Sequence, residues 1–550
     1  METSLNRDNR YDHSRWSIAH VIEHQSIVRS KQVFITCEDE SLTYGQAYSD
    51  AGRVSNYLAL NGAEVGDPVA VMLQNGLEFC RIWLGLARLG AVHVAVNTDY
   101  LGRFLVHVLN NCEARLIIVD ASYLERIADI VDELHYVKKI LIVDSNVSSP
   151  SIDLNTRFDF TIPRSRGVIE IDIFSKWRQC NDTIDFEPPT YKDVGCVMYT
   201  SGTTGPSKGV LMPHAHLYLF GLGTIEHFQL DENDVFYIVL PLFHANGLFM
   251  QLYATLIAGA RAIIKRRFSA SAWLSDIVKY QATATNSLGA VAAFVLDQPL
   301  GDMDKKHNLR VMGLAPVSAS LEERLKERFA ISRIVGLYGM TEINIPLYTH
   351  VDVDKPNSCG RVWDRYYELM IVDPVTDEQR KSGEVGEIVV RPKQPFGFMS
   401  GYLNMPDKTV EAWRNFWFHT GDAAWMDDDG DVFFVDRIKD CIRRRGENIS
   451  SFEVENAIAD FPGIREVAAY AVSSSIEGTE DEVMVAVVGD EENIDVDAIR
   501  EYLASQLPSF AIPRYIRLMS ELPKTPTGKI QKHLLRQQAI TEDTRDYAKS

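Results

Sequence analysis

Short apolar runs of strand length alternate with amphipathic stretches through most of the 550 residues, and this alternation narrows the fold more than any other feature. Pro68–Leu73 reads as a strand, Gly76–Arg88 as a helix and Ala91–Val96 as a second strand. Leu116–Asp120 precedes a helical pattern, and Lys139–Asp144 is again strand-like. Cys196–Tyr199, Val235–Leu240, Ala262–Lys265, Arg310–Leu314 and Ile334–Tyr338 carry the character of buried strands. Such an order predicts an α/β fold of parallel sheets covered by helices, because a helix is the usual crossover between parallel strands. A chain of this length exceeds one ordinary core and divides into at least two domains.

The pattern changes at the acidic turn Asp427–Asp431, which leads into a strand over Val432–Asp436 and then the basic stretch Arg437–Arg445. Beyond it a helix is expected from Phe452, strands over Glu466–Val472 and Glu482–Val488, a helix from Asp495 and a strand over Arg514–Met519. We therefore expect a large domain over residues 1–437 and a small α+β domain over residues 438–550. The formal net charge of −20 argues against broad binding to nucleic acid or anionic membrane. Met1–Trp16 lacks the apolar core of a signal peptide, and no apolar run approaches the ~18 residues of a membrane span. Seven scattered cysteines without a Cys-x-x-Cys pair fit reduced thiols in a cytoplasmic protein. The oligomeric state is not legible, and a homodimer stays open.

The segment from Thr200 through Ser201, Gly202, Thr203, Thr204, Gly205, Pro206, Ser207 and Lys208 to Gly209 follows a strand directly. Its glycines free backbone N–H groups to turn toward phosphate oxygens, while the hydroxyls and one lysine add donors and charge. It is not a P-loop, since Ser207 precedes Lys208 and Gly209 follows it. The stretch resembles the phosphate-binding signature of the adenylate-forming superfamily, which includes acyl-CoA synthetases, adenylation domains of peptide synthetases and beetle luciferases. Further segments similar to that superfamily follow in order. They are Pro241–Gly247 with His244, Gly313–Pro316, Tyr338–Glu342, Trp417–Asp422, Asp436–Asp440 and Pro523–Ile530. Leu314 stands where relatives more often have a second glycine, and Arg443 where many have lysine.

The resemblance implies a large N-terminal domain with covered sheets and a distorted barrel, then a small mobile C-terminal domain. It implies an ATP-dependent carboxylic acid–CoA ligase, with ATP and coenzyme A as substrates and Mg²⁺ as cofactor. On the same ground Thr200–Gly205 and Lys208 would hold the phosphates, and Gly313, Ala315, Pro316, Tyr338, Gly339 and Met340 the adenine side. Thr341 would contact the α-phosphate, and Glu342 would hold Mg²⁺, a hard cation that prefers oxygen ligands. Asp422 and Arg437 would contact the ribose, His244 would lie near the carboxylate, and Lys529 would be the catalytic cation. Asp440 would be the hinge, with Arg443, Gly446 and Glu447 facing coenzyme A. Arg444 and Arg445 read equally as phosphate contacts or as a solvated basic turn.

Phe249, Asn286, Leu288 and Asn344 fall in the segments expected to line the acyl pocket, a mixture that leans toward a small or functionalised acid. Asn97–Cys112, Ser287–Pro299 and Arg443–Glu455 resemble bacterial ligases of the crotonobetaine/carnitine type. The competing readings are an adenylating enzyme serving another acceptor, such as a carrier protein, a luciferase-like oxygenase, and a non-catalytic acyl-nucleotide-binding protein. Only a short stretch follows Lys529, which disfavours an attached carrier, and loss of Lys529 or Glu342 would mark the non-catalytic case. Neither residue is lost.

Overall fold

The computed structural model describes residues 9–144, 161–164, 167–200, 207–315, 318–350, 355–438, 440, 442–444, 447–459, 461–473, 481–489, 494–507, 511–525 and 528–547. Two compact units emerge. The first comprises Met1–Thr200, Pro206–Glu368 and Val390–Phe416, and the second Leu369–Val389 with Trp417–Ser550. The expected boundary at 437/438 lies at the end of the strand Val432–Arg437, within the second unit.

Among the described residues the first unit holds two nine-stranded sheets. One has parallel Val92–Ala95, Pro68–Met72, Leu116–Asp120 and Lys139–Val143 at its centre, with Val194–Thr200 joining parallel to Val92–Ala95. The other runs parallel through Val33–Cys37, Arg261–Ile264, Val235–Ile238, Ala284–Leu288, Val311–Ala315 and Arg333–Met340. Their Val, Ile, Leu and Ala side chains are buried on both faces, as strands sandwiched between helix layers require. The helix Leu77–Leu89 is buried along nearly its whole length and ends on Gly90, whose left-handed backbone closes the last turn. Helix Tyr44–Leu60 begins with a reciprocal capping box between Thr43 and Gln46.

In the second unit Ile464–Val472 pairs antiparallel with Glu482–Gly489, which runs parallel to Tyr515–Met519. Helices Ser451–Ala459 and Val496–Gln506 contribute Val454, Ile458, Ile499 and Leu503 to a core against one face of this sheet. The acidic turn is locally satisfied, with Asp427 Oδ1 accepting from the backbone N–H of Asp429 at 3.0 Å and of Asp431 at 2.9 Å. Six cysteines among the described residues are free thiols. Burial pushes the Cys37 thiol up to about 11 and Cys112 up to about 12, so neither is a reactive thiolate near neutral pH. Among the described residues no helix is long and apolar enough to cross a membrane.

Candidate functional site

Val194–Thr200 and Lys208–Pro213 form an antiparallel ladder with Thr200 opposite Lys208, so both ends of the glycine-rich loop are fixed side by side. The loop residues Ser201, Gly202, Thr203, Thr204 and Gly205 lie outside the described residues, as do Pro316 and Gly446. Helix Gly102–Asn111 anchors both flanks of that loop. Tyr199 donates its hydroxyl to Asn111 Oδ1 at 2.7 Å, and His107 Nε2 lies 2.7 Å from the Ser207 carbonyl. A carbonyl only accepts, so that ring nitrogen carries the proton.

Lys208 leaves its strand over the ring of Tyr402, with Nζ 4.1 Å from the centroid. The Tyr402 hydroxyl donates to Glu342 Oε1 at 2.9 Å, and Glu342 is only 4% exposed. Burial pulls the Lys208 ammonium below its ordinary range, and the Glu342 charge partly offsets this. The same carboxylate pushes the Tyr402 hydroxyl far up, after burial itself, so tyrosine remains a donor throughout the working pH range. Lysine, tyrosine and glutamate thus form one chain of contacts, although Lys208 and Glu342 are distant in sequence. Tyr402 was missed by the sequence reading, because nothing local in Gly401–Tyr402 marks it.

Glu342 occupies the turn between Arg333–Met340 and Asn344–Tyr348, an antiparallel pair with a register shift between Tyr338 and Met340. The turn is held from below. Met399 N–H donates to the Glu342 carbonyl at 3.1 Å, and Asn344 Nδ2 donates to the His216 carbonyl at 2.8 Å. Asn344 has φ 71° and accepts from the Ile345 N–H at 2.8 Å, so its amide is engaged in shaping the turn. Gly339 is required here, since a Cβ would meet the Asn344 carbonyl oxygen at 2.1 Å. Tyr338, Gly339, Met340 and Thr341 are all half-buried around this turn. His216 is fully buried, and burial pulls its pKa down to about 4.

Gly313 and Ala315 lie on Val311–Ala315, facing Asn286 and Leu288 across a parallel pairing. A Cβ on Gly313 would come within 2.6 Å of Asn286 Oδ1. Asn286 Nδ2 and Gln251 Nε2 both donate to Asn246 Oδ1, at 3.0 and 2.9 Å. Asn246 opens the segment Asn246–Tyr253, which is wound as a π-helix, a widened turn frequent at functional sites. Just before it, His244 is half-buried, and burial lowers its pKa to about 4, so it is a neutral imidazole at pH 7. Asn75 fixes this loop, donating to the Leu240 carbonyl at 3.0 Å and accepting from Leu242 N–H at 2.8 Å. Phe249 is fully buried against Phe220, whereas Leu288 is 46% exposed.

In the second unit Asp422 and Arg437 are paired across Trp417–Met426 and Val432–Arg437, with Arg437 Nε 3.6 Å from Asp422 Oδ1. Gly421, with φ 72°, bends the strand so that its N–H reaches Glu387 Oε1 at 2.9 Å, and His419 Nδ1 lies 2.9 Å from Glu387 Oε2. Lys529 sits in a tight turn in which Thr525 N–H donates to the Lys529 carbonyl at 2.8 Å. Lys529, Arg437, Asp436 and Asp440 line one cleft of this unit. Asp440 is tied to Arg536 at 2.8 Å.

Arg443 and Glu447 belong to the hairpin Ile442–Arg444 with Glu447–Ile449, but their side chains lie outside the described residues. Arg444 departs from both readings offered for it. It is 9% exposed, pairs with Glu482 at 2.6 Å and donates to the Ile512 carbonyl at 3.0 Å. A guanidinium committed to a buried ion pair is neither a solvated turn nor a free phosphate contact.

Residues 22–403 match the family model of AMP-binding enzymes, and residues 453–529 that of the AMP-binding enzyme C-terminal domain. The crotonobetaine/carnitine–CoA ligase of Proteus mirabilis is 30% identical over 498 residues, 90% of this chain and 92% of that protein. The protein of the same name from Salmonella paratyphi B is 28% identical over 522 residues, 92% and 95% of the two chains. The fold is shared with ATP-bound MatB from Rhodopseudomonas palustris at a TM-score of 0.80, with 24% identity over 95% of this chain and 99% of that one. It is shared also with the anthranilate CoA ligase AuaEII in complex with anthranoyl-AMP, at a TM-score of 0.83, with 24% identity over 96% and 98%. With both of its parts matched in order, the chain belongs to the AMP-binding enzyme family.

Proposed function

We propose that the protein is an AMP-forming carboxylic acid–CoA ligase acting on a small or functionalised acid. The observation that carries this reading is the Lys208–Tyr402–Glu342 chain, which sets a cation and a buried carboxylate beside the loop with the phosphate-binding signature. In the first half-reaction a carboxylate oxygen attacks the α-phosphorus of ATP and pyrophosphate leaves, giving acyl-AMP. Several negative charges meet in that step, so positioning and charge stabilisation dominate its cost. Lys208, the loop Thr200–Gly205 and Lys529 are the protein's positive and donor groups for it, with Thr341 at the α-phosphate. Tyr338, Gly339, Met340, Gly313, Ala315 and Pro316 face adenine, and Asp422 with Arg437 takes the ribose hydroxyls. A buried carboxylate oriented by the Tyr402 hydroxyl suits a hard divalent cation, so Glu342 would hold Mg²⁺, which would supply positive charge to the triphosphate. His244, neutral at working pH, borders the acid without repelling or trapping its charge.

In the second half-reaction the thiolate of coenzyme A attacks the acyl carbonyl and AMP leaves. Lys529 would obstruct that attack, so residues 438–550 turn about Asp440 and present Arg443, Gly446 and Glu447 instead. The cytoplasm supplies ATP and coenzyme A for this chemistry. The test is pyrophosphate release across a series of carboxylic acids, with and without coenzyme A. Lys529→Ala is expected to slow acyl-AMP formation by roughly 10²-fold or more, as loss of a group that stabilises transition-state charge does. Thiolysis of supplied acyl-AMP by the same variant should stay within a few-fold of wild type, and equal loss of both steps would overturn the assignment.

A further inference from the structure

Cationic groups of the N-terminal residues converge at one place. A small open cleft of about 50 Å³ lies between the region of helix Ile18–Val28 and the helices His214–Phe228 and Ala254–Ala258. Arg10, Arg15, Arg29, His20 and His24 line it, and among the described residues no carboxylate does. Asp12 pairs with Arg15 at 3.6 Å where both side chains are about half exposed, and Glu23 on helix Ile18–Val28 is exposed. In a chain of net charge −20, three guanidinium groups gathered on one concave surface repel each other unless an anion shares the space. His24 registers that potential. Its pKa is lowered, by burial first and by the charges of Arg15 and Arg29 after it.

The donors are preorganised. Arg29 Nη1 donates to Gln25 Oε1 at 3.0 Å, and Gln25 Nε2 is itself fixed on the Ile257 carbonyl at 3.0 Å. The guanidinium rests on Gly259, where any Cβ would come within 2.5 Å of Nε, and this buried Nε has no hydrogen-bond partner among the described residues. The Arg10 carbonyl accepts from Trp16 Nε1 at 2.9 Å and from the Tyr218 hydroxyl at 3.1 Å, while the two rings stack with centroids 4.7 Å apart. His20 Nδ1 is engaged by Ser17 Oγ at 2.7 Å. Val21, Ile257 and Ala258 supply apolar lining beside the charges.

We propose that this cleft is a second anion site that binds a small organic phosphate monoester, apart from the nucleotide site. The donors outnumber what the two oxygens of a carboxylate accept, whereas the three terminal oxygens of a phosphate dianion match a cluster of guanidinium and imidazole groups. The apolar lining suits the esterified carbon group. The experiment is calorimetric titration of the full-length protein, saturated with AMP, with phenyl phosphate, inorganic phosphate and benzoate at constant ionic strength. Phenyl phosphate should bind most tightly, and Arg29→Gln and Arg15→Gln should each weaken it roughly tenfold, the loss of one charge-assisted contact. Pyrophosphate release by both variants should match wild type, which also shows that they are folded. Absence of binding, equal affinity in the variants, or benzoate or inorganic phosphate binding as tightly as phenyl phosphate would overturn the proposal.

Discussion

Tyr402 links Lys208 and Glu342. Its hydroxyl orients the Glu342 carboxylate, and its ring carries the Lys208 ammonium. Tyr402→Phe keeps the ring and removes the hydroxyl. The expected result is a loss of roughly tenfold in kcat/KM for ATP, since a hydrogen bond to a charged acceptor disappears. A higher Mg²⁺ concentration should be needed for half-maximal rate, and unchanged Mg²⁺ dependence would remove Tyr402 from the site. None of this was legible in advance. Lys208 and Glu342 stand out by their segments, but a tyrosine that acts across nearly two hundred residues of chain has no local signature.

At the scale of elements, loops that carry function are held by buried polar side chains from unrelated strands and helices. Asn75 closes two gaps, taking Leu242 N–H and giving to the carbonyls of Leu240 and Lys265. Asn75→Ala should cost roughly 2–3 kcal/mol, because buried backbone groups lose their partner. It should also raise KM for the acid more than for ATP, as the displaced loop leads into His244, and equal changes in both would contradict this. The hairpin after the expected hinge shows the opposite lesson. A run of three arginines suggests a phosphate-binding surface, yet Arg444 turns inward to Glu482, which Arg514 also approaches at 3.3 Å. Arg444→Ala is expected to destabilise the second unit by about 3 kcal/mol, as removal of one partner from a buried pair does. KM for coenzyme A should change little, and a large rise without loss of stability would restore Arg444 as a phosphate ligand. Charge pattern alone cannot distinguish these fates, because direction depends on which strand lies behind the hairpin.

Across the whole molecule, buried neutral histidines make stability depend on pH. His93, His214 and His216 are at most 2% exposed, and burial lowers their values to about 3, 4 and 4. Unfolded histidine titrates near 6.5. The unfolded chain therefore binds protons that the folded chain refuses as pH falls below that value. Stability is complete above about pH 6.5 and declines toward pH 4, by up to about 1.4 kcal/mol per pH unit for each such group. Urea denaturation of the first unit's signal at pH 7.5, 6 and 5 should show this decline, and His93→Leu should make it shallower by one histidine's share. A profile independent of pH would contradict the burial of these rings.

Element identity and order followed from the residues themselves. Leu116–Asp120 is a strand in sequence and structure alike, and Pro68–Leu73 differs from the observed Pro68–Met72 by one residue. Hydrophobic period and glycine punctuation are local properties, and so are the glycine-rich loop and the Tyr338–Glu342 turn. Pairing at a distance is not local. That Tyr402 would meet Glu342, that Asn75 would brace the His244 loop, and that Arg444 would be buried while five basic groups, Arg29 among them, line one cleft all depend on which surfaces the packed sheets bring together. Those contacts are decided by three-dimensional proximity, for which a linear pattern of residues holds no coordinate.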